Sequence, residues 1–180
     1  SCYGMESKRA QAQAMSNAKQ VILDVAREYE KLSGRAYGFF EEYRLSDASY
    51  AIVAIGSVCG TIKDAVDLLR EEGIRVGLLK VRVFRPFPGA ELAKALKNCK
   101  AIAIMDRCEN FSANGGPLAA ELCAALFGDK SQAKVIKIVY GLNGRDFTVQ
   151  DAKKLYEDLA GLDAGSIQET EEYRYIGLRD

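Results

Sequence analysis

The hydrophobic pattern divides the chain into two regimes. From residue 5 to residue 32 apolar side chains recur at spacings of three and four, at Ala14, Ala18, Val21, Val25, Tyr29 and Leu32. That period predicts one long helix with Gly34 as its stop. Residues 34–49, holding Tyr37, Phe39, Phe40 and Tyr43, read as a linker whose aromatic rings pack against a neighbour. Beyond it short apolar runs alternate with helical stretches. YAIVAI at 50–55 is a strand. Thr61-Ile-Lys-Asp64 resembles a capping box, and Ile62, Ala65, Val66 and Leu69 form an apolar helix face that Gly73 ends. Residues 75–84 form a second strand and 91–96 a short helix. AIAIM at 101–105 is a third strand. A helix over 117–127 carries Pro at its first turn. A fourth strand covers 134–140, and Thr148 caps a last helix reaching about Leu159.

Near-continuous apolar strands separated by helices define an α/β fold: a mostly parallel sheet with helices on both faces, preceded by a long N-terminal helix. The expected organisation is helix and connector over 1–49, an α/β domain over 50–160, and an arm over 161–180. That arm is polar, with Glu169, Glu171 and Glu172 ahead of Tyr173 and Tyr175, and is expected to dock elsewhere.

Composition narrows the classes. With 180 residues, 48% of them apolar, the chain is long enough to bury a real core. Lys plus Arg and Asp plus Glu each number 25, so charge balance gives no support for a nucleic acid or an anionic membrane as partner. No apolar run approaches the roughly 20 residues that span a bilayer, and no secretory signal opens the chain. It starts at Ser1 without Met, which reads as a piece of something larger. The absence of His removes imidazole ligands and bases. Cys2, Cys59, Cys99, Cys108 and Cys123 are spaced unlike a zinc ribbon or a ferredoxin-type cluster. They read as reduced thiols of a cytoplasmic protein, with Cys99 and Cys123 as packing residues.

Candidate chemistry sits in the loops at the carboxyl ends of the strands, where open parallel sheets place their sites. GSVCGT at 56–61 offers Gly56, Ser57, Gly60 and Thr61 ahead of a helix. It is neither a P-loop nor a GxGxxG fingerprint; a tight turn and a phosphate cradle both stay open. In VFRPFP, Pro86 ends the strand, and Arg82 or Arg85 serves either a structural ion pair or substrate recognition. DRCENFSANGGP at 106–117 carries Asp106, Arg107 and Glu109, and YGLNGRDFT at 140–148 carries Asn143, Gly144, Arg145 and Asp146. These two loops line either a shared crevice or a protein interface. No catalytic constellation assembles: there is no His, no serine elbow and no carboxylate pair on a common face.

Several blocks, in order, carry a resemblance. ESKRAQAQAMSNAKQVILDVAREYEKLSGRAYGFFEEYRLSDA, IVAIGSVCGTIKDAVDLLREEGIRVG, GLLKVRVFRPFP and IVYGLNGRDFT together resemble the carboxyl-terminal part of the alpha subunit of 2-oxoacid:ferredoxin oxidoreductases. The likeness covers about residues 5–159 and is nearest to the pyruvate:ferredoxin oxidoreductase (pyruvate synthase) branch. It implies a transketolase-C-like domain in a complex using thiamine diphosphate, Mg, iron–sulfur clusters and coenzyme A. It implies as partners the alpha amino-terminal domain, beta, gamma and delta subunits, and ferredoxin through the complex. No catalytic residue carries over. The implied role is architectural, with Arg82, Arg85 and the loops around Arg107 and Arg145 facing neighbours. A phosphate- or coenzyme A-binding regulatory module, and the same domain from a 2-oxoglutarate or branched-chain 2-oxoacid enzyme, are the alternatives.

Overall fold

A computed structural model describes residues 3–111, 113–168 and 173–178. Its centre is one sheet of six strands. Helix α1 (Gly4–Ser33) comes first, then strand β1 (Phe40–Tyr43), β2 (Tyr50–Ile55) and α2 (Val58–Glu71). Strand β3 (Val76–Val81), helix α3 (Gly89–Ala95), β4 (Ala101–Asp106), α4 (Pro117–Gly128), β5 (Lys134–Val139), α5 (Val149–Ala164) and β6 (Arg174–Tyr175) complete the chain. The spatial order is β1-β3-β2-β4-β5-β6. All neighbouring pairs are parallel except β1 with β3, which is antiparallel.

Two cores follow from strand alternation inside apolar runs. Ile52, Ala54, Leu78, Ala103 and Met105 point to the face covered by α2 and α5. Ala51, Val53, Leu79, Ile102 and Ile104 point to the opposite face, covered by α3 and α4. A strand buried on both sides has no polar face to show, which is why its sequence reads as a solid apolar run. The helix ends follow local chemistry. Pro117 occupies the first turn of α4. Thr148 and Asp151 form a reciprocal capping box at the start of α5.

The structure corrects several expectations. The segment 34–49 is no mere linker: Phe40–Tyr43 is an edge strand, and Phe39, Leu45 and Ala48 are buried within this chain. Its two acidic residues did not read as strand, but Glu41 is neutralised by Lys63 and Arg82. The second strand stops at Val81 rather than Phe84, because the amides of Arg82 and Val83 both turn to the Phe39 carbonyl at 2.9 Å. The Arg85–Pro86 peptide is cis. Thr61 does not cap α2; the helix closes its first turn at Ser57–Gly60 and places Thr61 inside. Helix α5 continues past Leu159 to Ala164. Within the expected arm, residues 174–176 return to this chain's own sheet: β6 pairs with β5, and the Ile176 amide bonds the Val139 carbonyl at 3.0 Å. Cys2, Glu169, Glu171 and Glu172 lie outside the described residues.

Helix α1 departs most from its pattern. It is helical as expected and ends at Gly34 in the left-handed region (φ 70°). Yet it has no fully buried residue. Its partly covered side is Ala18, Lys19, Ile22, Leu23 and Ala26, and Lys19 reaches Glu91 of α3 at 3.4 Å. The stripe through Val21, Val25, Tyr29 and Leu32 faces outward, with Val25 57% and Leu32 88% exposed. Periodicity identified the helix but not the side that this chain covers.

Candidate functional site

The strand order reverses between β2 and β4. From β2 the chain crosses to β3 on one side, then returns to β4 on the other. The loops after these strands therefore diverge and leave a crevice at the sheet's carboxyl end. It contains two adjoining hollows. The first, about 360 Å³, has apolar walls from Ile55, Phe84, Met105 and Leu118. The second, about 300 Å³, is bordered by Ser57, Thr61, Arg107, Arg145 and Asp146. Ser57, Arg107 and Tyr140 border both.

Asp106, at the end of β4, anchors the crevice floor. It is 7% exposed, and its two carboxylate oxygens accept hydrogen bonds from the amides of Leu118 and Ala119, each at 2.9 Å. Those amides belong to the first turn of α4, which has no partners of its own. Burial pushes the Asp106 carboxyl above its ordinary value, and the two amides oppose that rise. Gly116 is required beside it, since a Cβ there would overlap the Asp106 side chain. Asp106 is thus a helix anchor, and its oxygens are already engaged.

Arg107 follows directly. Its Nε donates to the Gly141 carbonyl at 3.2 Å, fixing the guanidinium along the crevice wall. Gly141 has φ 68°, and a Cβ on it would come within 3.1 Å of that Nε, so the close approach needs glycine. Tyr140 is 8% exposed, and its ring meets Phe147 edge-on at 5.6 Å between centroids. Burial raises the Tyr140 phenol above its usual value.

The structure brings together Gly56, Ser57, Thr61, Arg107 and Arg145 around the two hollows. Gly56 makes the turn after β2 with φ 89°. Gly60 lies within α2 and lines neither hollow. Asn143 sits in a short 3-10 turn, Leu142–Gly144, with φ 52°, and with Arg145 it borders a third hollow beside β6. Arg82 and Arg85 are elsewhere. Arg82 bonds Glu41 at 2.7 Å and lies over the Tyr37 ring, while Arg85 pairs with Glu121 and lies over Phe84. Both are held in ion pairs inside the chain. Sequence reasoning did not single out Tyr140 as a site residue; a tyrosine closing an otherwise aliphatic strand was the available signal.

Metal chemistry finds no donor set here. Among the described residues no three Cys, Asp or Glu side chains converge on a point that would hold a metal ion. Cys59 and Cys99 are buried in separate cores, Cys123 is half-buried, and Cys108 is exposed. No helix among the described residues is long and apolar enough to cross a membrane.

This slab is a mostly parallel α/β fold with helices on both faces. It aligns with a chain of the 2-oxoglutarate:ferredoxin oxidoreductase from Magnetococcus marinus, solved with 2-oxoglutarate, coenzyme A and succinyl-CoA bound. The TM-score is 0.55 over 73% of this chain and 21% of that one, at 19% identity, and this likeness concerns the fold alone. In sequence, residues 48–152 match the family described as pyruvate:ferredoxin oxidoreductase core domain II. The pyruvate synthase subunit PorA of Thermotoga maritima is 41% identical over 178 residues, which is 99% of this chain and 44% of that protein. The ketoisovalerate oxidoreductase subunit VorA of Pyrococcus abyssi is 39% identical over 92% of this chain and 42% of that protein. The chain therefore belongs to the 2-oxoacid:ferredoxin oxidoreductase alpha-subunit family and is pyruvate synthase-like. It spans less than half the length of these relatives.

Proposed function

We propose that this chain is the C-terminal, transketolase-C-like part of the alpha subunit of a pyruvate:ferredoxin oxidoreductase. Residues 50–160 form the body of the domain, 1–49 its leading helix and connector, and 161–180 its arm. In this reading it supports assembly of a cytoplasmic complex that converts pyruvate and coenzyme A to acetyl-CoA and CO2 while reducing ferredoxin. Thiamine diphosphate, Mg and the iron–sulfur clusters belong to other domains and subunits. Among the described residues no donor set fits a cluster or a Mg site. The observation that carries the reading is the 41% identity to a pyruvate synthase subunit over 99% of the chain.

The exposed apolar stripe of α1 supports an architectural role, since large apolar side chains in a row at a surface mark contact sites. In this reading the rim holding Gly56, Ser57, Thr61, Arg107, Asn143 and Arg145 faces neighbouring polypeptides, with Gly60 behind it inside α2. Arg82 and Arg85 stiffen the knuckle where β3 leaves the sheet. Co-expression with the remaining alpha, beta, gamma and delta segments tests this. The chain is expected to co-purify with them, and pyruvate with coenzyme A is expected to drive ferredoxin reduction by the assembly faster than 2-oxoglutarate or 2-oxoisovalerate. Pyruvate turnover by the isolated chain, or failure to co-purify, overturns the proposal.

A further inference from the structure

We propose that the switch-point crevice is a binding site for a phosphate monoester on a flat apolar body, with Arg107, Arg145 and Tyr140 as its recognition groups. Three independent features of the crevice carry this. The first is the pairing of unlike hollows: one has walls of Ile55, Phe84, Met105 and Leu118, and the other is bordered by Arg107, Arg145, Ser57 and Thr61. Volumes of about 360 and 300 Å³ suit a small organic ligand lying across both.

The second is the state of the cations. Arg82 and Arg85 are neutralised by carboxylates, whereas neither Arg107 nor Arg145 has an acidic partner among the described residues. Among the described residues Arg107 bonds through its Nε, to the Gly141 carbonyl, which leaves its two terminal nitrogens for an incoming anion. The stem of Arg145 lies against Gly177, and a Cβ there would be 3.3 Å from its Cδ. Two arginines bordering one hollow supply the charge and the forked donors that a phosphate takes.

The third feature is Tyr140. More than nine-tenths buried, it borders both hollows, and its hydroxyl makes no hydrogen bond to a described residue. A hydroxyl at the border of both hollows can donate to a ligand oxygen lying across them. Asp146 also borders the polar hollow and opposes an anion there, so its charge tunes affinity downward. Asp106, held by two α4 amides, borders the apolar hollow and adds a further unfavourable charge for an anion seated there.

Isothermal titration of the 180-residue chain with phenyl phosphate, inorganic phosphate and benzoate tests the inference. Phenyl phosphate is expected to bind more tightly than either fragment, since only it fills both hollows. Arg145→Ala should weaken binding by about tenfold or more, and Tyr140→Phe by several-fold, each with unchanged circular dichroism. Asp146→Asn should tighten it. Crosspeak shifts of the Arg107 and Arg145 side chains in an NMR titration should report the same site. No binding of phenyl phosphate at millimolar concentration overturns the proposal. So does binding insensitive to Arg145→Ala and Tyr140→Phe, and so does benzoate binding as tightly as phenyl phosphate. The outcome is independent of subunit assembly, so success or failure here leaves the co-purification test separately readable.

Discussion

Replacing Asp106 by Ala should destabilise the fold more than the loss of one surface carboxylate would. The two buried amides of Leu118 and Ala119 would lose their acceptors together. Each orphaned buried donor costs about 1–3 kcal/mol. Removing a carboxylate that burial already disfavours offsets part of this, as the raised Asp106 value implies. The net expectation is a loss of about 2–4 kcal/mol. Urea unfolding followed by circular dichroism should show the midpoint falling by about 1 M with unchanged slope. Asp106→Asn, which keeps one acceptor oxygen, should fall between wild type and Asp106→Ala. The effect has a pH signature. A carboxyl whose folded-state pKa is raised binds its proton more tightly folded than unfolded. Its contribution to stability is therefore greatest in acid and declines as pH rises from the ordinary 3.8 through the raised value. The gap between wild type and Asp106→Ala should accordingly be wider in acid than at neutral pH. An Asp106→Ala midpoint indistinguishable from wild type would refute the assignment of Asp106 as the anchor of α4.

Three other expectations follow from local geometry. Gly77→Ala places a Cβ 2.6 Å from the Arg44 carbonyl oxygen and 2.9 Å from the Leu45 Cα, both backbone atoms, so it should cost about 1–3 kcal/mol; an unchanged Tm would contradict this. In alkylation with iodoacetamide read by peptide mass, exposed Cys108 should react first among Cys59, Cys99, Cys108 and Cys123. Cys59 and Cys99, whose thiols burial pushes up to about 11, should react last, and equal rates would count against the packing described. Val25→Asp with Leu32→Asp on α1 should leave the chain's own stability within about 0.5 kcal/mol while reducing co-purification with the other subunits. Normal recovery of the complex would show that the stripe is not a contact.

The parallel body of the fold was legible because its signals are local. Short aliphatic runs such as Ala101–Met105, bounded by polar residues, read as strands buried on both sides, and Pro117 and Thr148 mark helix starts within their own turns. What escaped the sequence depends on distant partners. Phe40–Tyr43 carries two glutamates and becomes a strand only because Lys63 and Arg82 arrive beside Glu41. The pair Arg174–Tyr175 is too short to announce itself and exists by virtue of Ile138 and Val139. Thr61 misled because a Thr three residues before an acid occurs inside helices as well as at their starts, and only the turn at Gly56 decides which. At the crevice, strand ends were the right place to look, and Arg107 and Arg145 do meet there. Tyr140 and Phe84 were missed as lining groups because nothing local shows that their rings converge.

Both flanking ribbons of the slab originate outside the alternating units, β1 ahead of them and β6 behind. A recombinant piece trimmed to residues 50–160 would strip off both. The outward backbone groups of β3 and β5 would then be bare and ready to recruit other chains into insoluble assemblies. Transplanting this part of the subunit therefore means carrying the whole span from Phe40 to Ile176, hems included.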